Sequence, residues 1–178
     1  MNLKISGALV AVSAALFCTN SNAALLFDPY IGLGFGIGSA TIFVDDDNTT
    51  DNAQSFSATA GFDIPILRVE LEYDYMTPKD TKLHLGLINA YAKLPTTTIQ
   101  PYIGAGIGTV FDGDMNGTDI EKVTAYQGML GITFNIHVLP LKIDVEGRVM
   151  YLPNIYEIAN IAPDILQYEG RLKLRYIF

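Results

Sequence analysis

The sequence predicts an all-β fold: an eight-stranded antiparallel up-and-down transmembrane β-barrel, charged inside and apolar outside. Three observations carry this. The C-terminal segment alternates, with Tyr168, Leu172, Leu174, Tyr176 and Phe178 on one face and Gln167, Glu169, Arg171, Lys173 and Arg175 on the other. A period of two is the mark of a strand with two opposite faces. Second, Pro29-Tyr30-Ile31-Gly32-Leu33-Gly34-Phe35-Gly36-Ile37-Gly38 alternates apolar residues with glycine, and its motif returns 72 residues later at Pro101-Tyr102-Ile103-Gly104-Ala105-Gly106-Ile107-Gly108. Third, the segments Leu67–Met76, Leu141–Leu152 and Ile165–Phe178 carry full charged rows. These hold six basic residues (Arg68, Lys142, Arg148, Arg171, Lys173, Arg175) and six acidic ones (Glu70, Glu72, Asp74, Asp144, Glu146, Glu169) in a chain of net charge −8. The acidic surplus therefore lies elsewhere. Balance is what enclosed charges require, because an unpaired buried charge costs several kcal/mol.

The 178 residues are 49% hydrophobic, with 16 glycines, 10 tyrosines and no tryptophan. Past the N-terminus no run is long and apolar enough for a spanning helix of ~20 residues. Residues 1–23 read as a secretory signal: Lys4, the apolar stretch Ala8–Phe17, and Ser21-Asn22-Ala23 as the cleavage site. The single cysteine, Cys18, leaves with it, so residues 24–178 form the barrel without a disulfide framework. Without Lys4 the mature chain has 10 basic against 19 acidic residues, net −9.

The glycine-alternating segment is the first strand. It is no nucleotide-binding loop, since such glycines open a helix. Val44–Ala53 reads as a long polar loop. In the second strand Phe56, Ala58, Ala60 and Phe62 alternate with Ser55, Ser57, Thr59 and Gly61. Ile64-Pro65-Ile66 is a turn, because proline cannot sit in a central ladder. Leu67–Met76 is the third strand and Thr77–Thr81 a short loop. Lys82–Leu94 is the fourth, clear through Leu83, Leu85 and Leu87 and without a definite register after Ile88. Pro95–Gln100 turns, Pro101–Phe111 is the fifth strand, and Asp112–Lys122 is an acidic loop. Val123–Ile136, Leu141–Leu152 and Ile165–Phe178 complete the eight, joined by the turn His137–Pro140 and the loop Pro153–Asp164.

Eight strands enclose a space only wide enough for side chains. Glycines at 32, 34, 36 and 38 beside the basic row of the last strand leave room for its long side chains. The outward face is then Ile, Leu, Val, Phe and Tyr. Aromatics gather near both strand ends: Tyr30, Phe62, Tyr102, Phe134, Tyr176 and Phe178 on the turn side, and Phe43, Phe56, Tyr75, Phe111, Tyr126 and Tyr151 on the loop side. This is the double girdle of a bilayer-spanning barrel, in which closure pairs every backbone group. A soluble lipocalin-type barrel would have to display twelve charges outward on three strands, and would leave the glycine rows without a reason.

The Pro-Tyr-Ile-Gly repeats at Pro29–Gly32 and Pro101–Gly104, the Arg68–Tyr75 strand and the ending Leu172-Lys173-Leu174-Arg175-Tyr176-Ile177-Phe178 resemble the small eight-stranded outer-membrane barrels of Gram-negative bacteria. These include the OmpA-type transmembrane domain, the OmpX and opacity-protein relatives, and the porin-like outer membrane protein beta-barrel domain family. The resemblance implies a bacterial outer-membrane location. It implies outer-membrane lipid and lipopolysaccharide as surroundings, and an assembly signal at Leu172, Leu174, Tyr176 and Phe178 read by the barrel-assembly machinery. A monomer is expected, with no cofactor and no nucleic-acid partner.

Three functions are then open. A non-enzymatic surface protein would display loops for adhesion, a host or surface ligand, or envelope integrity. A narrow ion channel would be gated by the interior charge pairs, as in OmpA-type barrels. A conduit for hydrophobic ligands is disfavoured because the inward face is charged. A lipid A-modifying enzyme would use His with Ser and an acid. His84 and His137 stand in no such pattern, and neither is expected at the outer rim with partners, so no catalytic residue is assigned. Finally, Asp112-Gly113-Asp114-Met115-Asn116-Gly117 matches the first half of a calcium loop, with Asp112, Asp114 and Asn116 as metal ligands. Val123 stands where the bidentate Glu would be, and an acidic hairpin tip built of turn residues explains the same segment.

Overall fold

The computed structural model describes residues 27–44, 47–78, 81–96, 98–115, 118–119, 123–136, 138–153 and 164–178. The signal reading of residues 1–23, His137 and most of the loop Pro153–Asp164 lie outside them.

The elements are β1 (Asp28–Val44), β2 (Asp47–Asp63), β3 (Leu67–Pro78), β4 (Thr81–Lys93), β5 (Ile99–Met115), β6 (Thr118–Asp119), β7 (Thr124–Ile136), β8 (Leu141–Leu152) and β9 (Asp164–Ile177). β6 is a two-residue strand paired to the tip of β5. The other eight pair with their neighbours in sequence, all antiparallel, and β1 pairs with β9 to close the ring. Closure gives each of these eight a partner on both sides within the ring.

Side chains alternate between lumen and exterior with the period of the strand. On β3, Arg68, Glu70, Glu72 and Asp74 are buried while Leu67, Val69, Leu71 and Tyr73 are exposed. β8 and β9 repeat the pattern, with Asp144, Glu146 and Arg148, then Glu169, Arg171, Lys173 and Arg175, all inward. Leu33 and Leu130 on the outside are 69% and 68% exposed, whereas Arg68, Lys173 and Arg175 are 0% exposed. That is the reverse of a water-soluble core.

The glycine strands β1 and β5 stand on opposite sides of the ring. Gly32, Gly34 and Gly36 face Arg175, Lys173 and Arg171 across the β1–β9 ladder. A Cβ on Gly32 would lie 2.7 Å from Thr59 Oγ1 and 3.0 Å from Arg175 Cγ. At Gly104 and Gly106 the space is taken by Tyr91 and by Asn89 with Gln127. The glycines are thus the room into which neighbouring strands place larger side chains.

The structure corrects the sequence reading in three places. Val44–Ala53 is not a loop: β1 and β2 are 17 residues each and pair as far as Val44↔Asp47. Asp112–Lys122 likewise begins as strand, with β5 running to Met115. Both continue a ladder whose backbone pairing outlasts the apolar pattern. Tyr30 and Tyr102 are not girdle residues, being 2% and 3% exposed inside the barrel. Each lies opposite a glycine, Gly61 and Gly131, whose missing side chain makes room for the ring.

A β-bulge shifts the β4–β5 register between His84 and Leu85, so that His84 faces Asp112 while Leu85 faces Val110. Phe111 is the extra residue, and both Phe111 and Asp112 are exposed.

Gly36→Val would drive methyl groups into Ser55 and Glu169, an overpacking worth about 1–3 kcal/mol. Gly128→Val, on the exterior where an added Cβ meets nothing within 4 Å, should be neutral. Urea unfolding of the refolded barrel, followed by heat-modifiable gel migration, should separate the two variants.

Candidate functional site

The lumen is built in layers. At the turn-side mouth Asp63 binds Lys93, Lys142 Nζ at 2.8 Å and Arg175 at 3.0 Å. One step deeper, Asp144 accepts from Arg68 at 3.0 Å, from Arg175 Nε at 2.7 Å and from Thr133 at 2.6 Å. The Arg68 guanidinium lies between Tyr91 and Tyr102, 3.7 and 4.7 Å from their ring centres. Desolvated cation–π contacts of this kind contribute about 2 kcal/mol. Next, Glu70 takes Lys173 at 3.1 Å, the Tyr30 hydroxyl at 2.7 Å and the Tyr91 hydroxyl at 3.0 Å. Glu146 takes the Tyr102 hydroxyl at 3.0 Å and faces Lys173 at 3.4 Å.

Above these, Glu72 binds Arg171 and the Asn89 amide. Glu169 meets Arg148 at 2.6 Å and Arg171 at 3.1 Å. Asp74 closes the stack on Arg148 at 2.6 Å. β3 and β8 stand opposite each other in the ring, so Arg68–Asp144 and Arg148–Asp74 tie the far walls together. All twelve residues of the charged rows point into this network. Lys142 sits at its mouth with a side chain 20% exposed.

Sequence reasoning missed Asp63 and Lys93, which bring the lumen to seven basic and seven acidic side chains among the described residues. Asp63 continues the inward row Ser55, Ser57, Thr59, Gly61 and was legible. Lys93 was hidden. It shares the inward face of β4 with Asn89 and Tyr91, but also with Leu83, Leu85 and Leu87, and that mixture breaks the rule of charged inside and apolar outside.

Those leucines belong to a cap. Toward the loop side the lumen is apolar, filled by Met76, Leu83, Leu85, Val110, Met150, Leu152 and Ile165, none with accessible surface. The ground for disfavouring a hydrophobic-ligand conduit is therefore corrected. The lumen is charged only in its turn-side part; in the loop-side part it is blocked by apolar side chains packed on one another.

The outer rim brings a second correction. His84 points outward near the loop-side end, where the Tyr73 hydroxyl and His84 Nδ1 are hydrogen-bonded at 2.7 Å. Tyr75 stacks on the same ring at 4.8 Å. Asp112 is exposed in β5 opposite His84. The Asp114 side chain and Asn116 lie outside the described residues. Among the described residues no group of three or more His, Cys, Asp or Glu side chains is arranged to hold a metal ion.

Residues 8–167 match the family described as outer membrane protein beta-barrel domain. The chain belongs to this family. It is accordingly a barrel of the bacterial outer membrane, with the short turns on the periplasmic side and the loop-side rim outside. Among solved structures, Neisserial surface protein A superposes with a TM-score of 0.61 at 18% identity, covering 83% of this chain and 97% of that one. The N-terminal β-barrel domain of Pseudomonas aeruginosa OprF gives 0.53 at 11%, covering 82% and 97%. The outer membrane enzyme PagL gives 0.51 at 12%, covering 78% and 97%. At these identities the likeness is one of fold. No curated protein matches the chain.

Asp144→Leu removes one carboxylate from two buried guanidiniums and should cost about 3–5 kcal/mol. Lys142→Gln, at the wet mouth, should cost under about 1 kcal/mol. Urea titrations of the barrel in lipid vesicles measure both.

Proposed function

We propose that the protein is a closed, non-enzymatic surface barrel that holds rigid ribbons outside the cell for adhesion, host contact or envelope integrity. The observation that carries this reading is the filled lumen, ion-paired across its width and capped by apolar side chains without accessible surface. Ions entering such a barrel would meet both a dry constriction and a set of charges already matched, which disfavours a gated channel. The ribbons support display. A spanning strand needs ~9–11 residues, whereas β1, β2 and β5 each have 17. The extra length of the β1–β2 hairpin is polar on its β2 arm, with Thr50, Asp51 and Asn52, while its β1 arm exposes Phe43, and the Thr41 and Thr50 hydroxyls are hydrogen-bonded at 3.0 Å.

Planar-bilayer recordings of the refolded barrel should show no unitary conductance. Ala40 and Asp51 are register partners, so an Asn-Gly turn can join them in place of residues 41–50. Cells carrying that shortened barrel should keep it in the outer membrane and lose adherence to host or matrix surfaces. A stable conductance, or unchanged adherence, would overturn the reading.

The ending supports a second role, in assembly. Leu172, Leu174, Tyr176 and Phe178 form one outward row, with the Tyr176 and Phe178 rings 5.2 Å apart. Such a row is accessible to the barrel-assembly machinery before the strand pairs. Deleting Phe178 should leave the chain as protease-sensitive periplasmic material. Normal surface levels in that mutant would count against the role.

A further inference from the structure

The balanced totals of the lumen hide a division. Among the described residues its ion pairs fall into two sets with no member in common. On the turn side Arg68, Lys93, Lys142 and Arg175 share the carboxylates of Asp63 and Asp144, four bases to two acids. Deeper in, Arg148, Arg171 and Lys173 serve Glu70, Glu72, Asp74, Glu146 and Glu169, three bases to five acids. Phenols stand between the sets. Arg68 lies on the faces of Tyr91 and Tyr102, whose hydroxyls bond Glu70 and Glu146. The deeper set is therefore short of positive charge in a place where an unpaired charge costs several kcal/mol. A buried carboxyl so placed takes up a proton instead.

The partners show which carboxyl that is. Glu70 and Glu146 have Lys173 and the phenols. Glu72 has Arg171 and the Asn89 amide. Glu169 has Arg148, Arg171, the Ser55 hydroxyl and the Gln167 amide. Asp74 has Arg148 alone, through Oδ2 at 2.6 Å, and Arg148 is shared with Glu169 and Glu72. Its Oδ1 is buried with no hydrogen-bond partner among the described residues. The charged groups that face Asp74 are Arg148 and Arg171 and, against them, Glu72 and Glu169. On β3 it is the inward charge farthest from Arg68, so it gains least from the turn-side bases. It also borders the cap. Its register partners are Ser57 and Leu85, and the next inward residue of its strand is Met76. Leu85 and Met76 both belong to the apolar cap.

We propose that Asp74 is held as a neutral carboxylic acid and that its proton is the latch between the charged stack and the apolar cap. Neutral, Asp74 keeps its bond to Arg148 through the carbonyl oxygen and sets no charge beneath Met76 and Leu85. Ionised, it is a third carboxylate on one guanidinium, at the edge of a dry apolar layer. The unfolded chain has this carboxyl ionised at neutral pH, so folding takes up a proton. Stability from this residue therefore falls as the pH rises, until the folded barrel releases the proton and the cap loosens.

Infrared spectroscopy of the barrel refolded in lipid vesicles tests the proposal, with amide hydrogen exchange read by NMR. At neutral pH the parent should show a carboxylic-acid C=O stretch. The band should shift when aspartate is supplied with a heavy carboxyl carbon, since Asp74 is the one aspartate in the deeper set, and it should be lost in Asp74→Asn. Taken to alkaline pH, the parent should lose the band and the protection of the Met76 and Leu85 amides together. Asp74→Asn has nearly the same shape and no proton to release, so it should keep that protection. Absence of the band from the parent at neutral pH, or its persistence in Asp74→Asn, would overturn the proposal. So would a band unmoved by labelled aspartate, a reading made on the parent alone and independent of whether the variant folds. A cap that stays protected after the band is gone would overturn the latch.

Discussion

The width of the lumen decides almost everything else about this protein. Eight strands close around a space that side chains fill completely, so a charge placed there loses bulk water and must find its counter-charge across the barrel. Attraction between such charges is strong in a low dielectric, but only offsets desolvation when the remaining donors and acceptors are also satisfied. This is why Glu70 is met by an ammonium and two phenols together, and Asp144 by two guanidiniums and a hydroxyl. It is also why the lumen charges balance among the described residues, in a chain whose net charge is −8.

The same limit on volume explains the duplicated sequence motif. A ring of eight strands that all carried large inward residues could not close. Glycines on the opposed strands β1 and β5 give up volume, which Arg175, Lys173, Tyr91 and Gln127 occupy. The tyrosine ahead of each glycine row takes the opposite part. Tyr30 and Tyr102 fill space over Gly61 and Gly131 and reach Glu70 and Glu146 with their hydroxyls. A repeat that looked like two lipid-facing aromatic anchors is two copies of one packing device, in which phenol and glycine are complementary across the ladder.

The fold was legible because a transmembrane strand must keep one face apolar throughout the hydrocarbon. Leu67–Tyr75 and Tyr168–Phe178 show that face without interruption. The network residues on β3, β8 and β9 were legible for the same reason, and their partners less so. Nothing in a period of two says which side chain reaches which wall, and Arg68–Asp144 joins residues 76 apart. Tyr30 and Tyr102 were misplaced because an aromatic at a strand end suits either face, and only the glycine across the ladder decides between them. His84 was misjudged because its partners Tyr73 and Tyr75 come from β3, at a level where the inward positions of β4 are leucines, so alternation turns the imidazole outward.

Leu83, Leu85 and Leu87 show where the inside-out rule stops holding. On the turn side of the barrel the exterior is apolar and the lumen charged. Toward the outer rim the exterior turns polar, with Asn52, Gln54 and Lys82 outward, while Ala53, Met76, Leu83 and Leu85 fill the inside. The two faces exchange character where the strands leave hydrocarbon for water, because beyond that level the barrel obeys the burial rule of any water-exposed protein. One continuous strand such as β4 therefore carries two opposite patterns in a single register. It is read correctly only if the position of the membrane boundary is known. The apolar cap that results seals the charged layers from external water and keeps their dielectric low, so the emergence of the barrel from the membrane and the strength of its ion pairs have one cause.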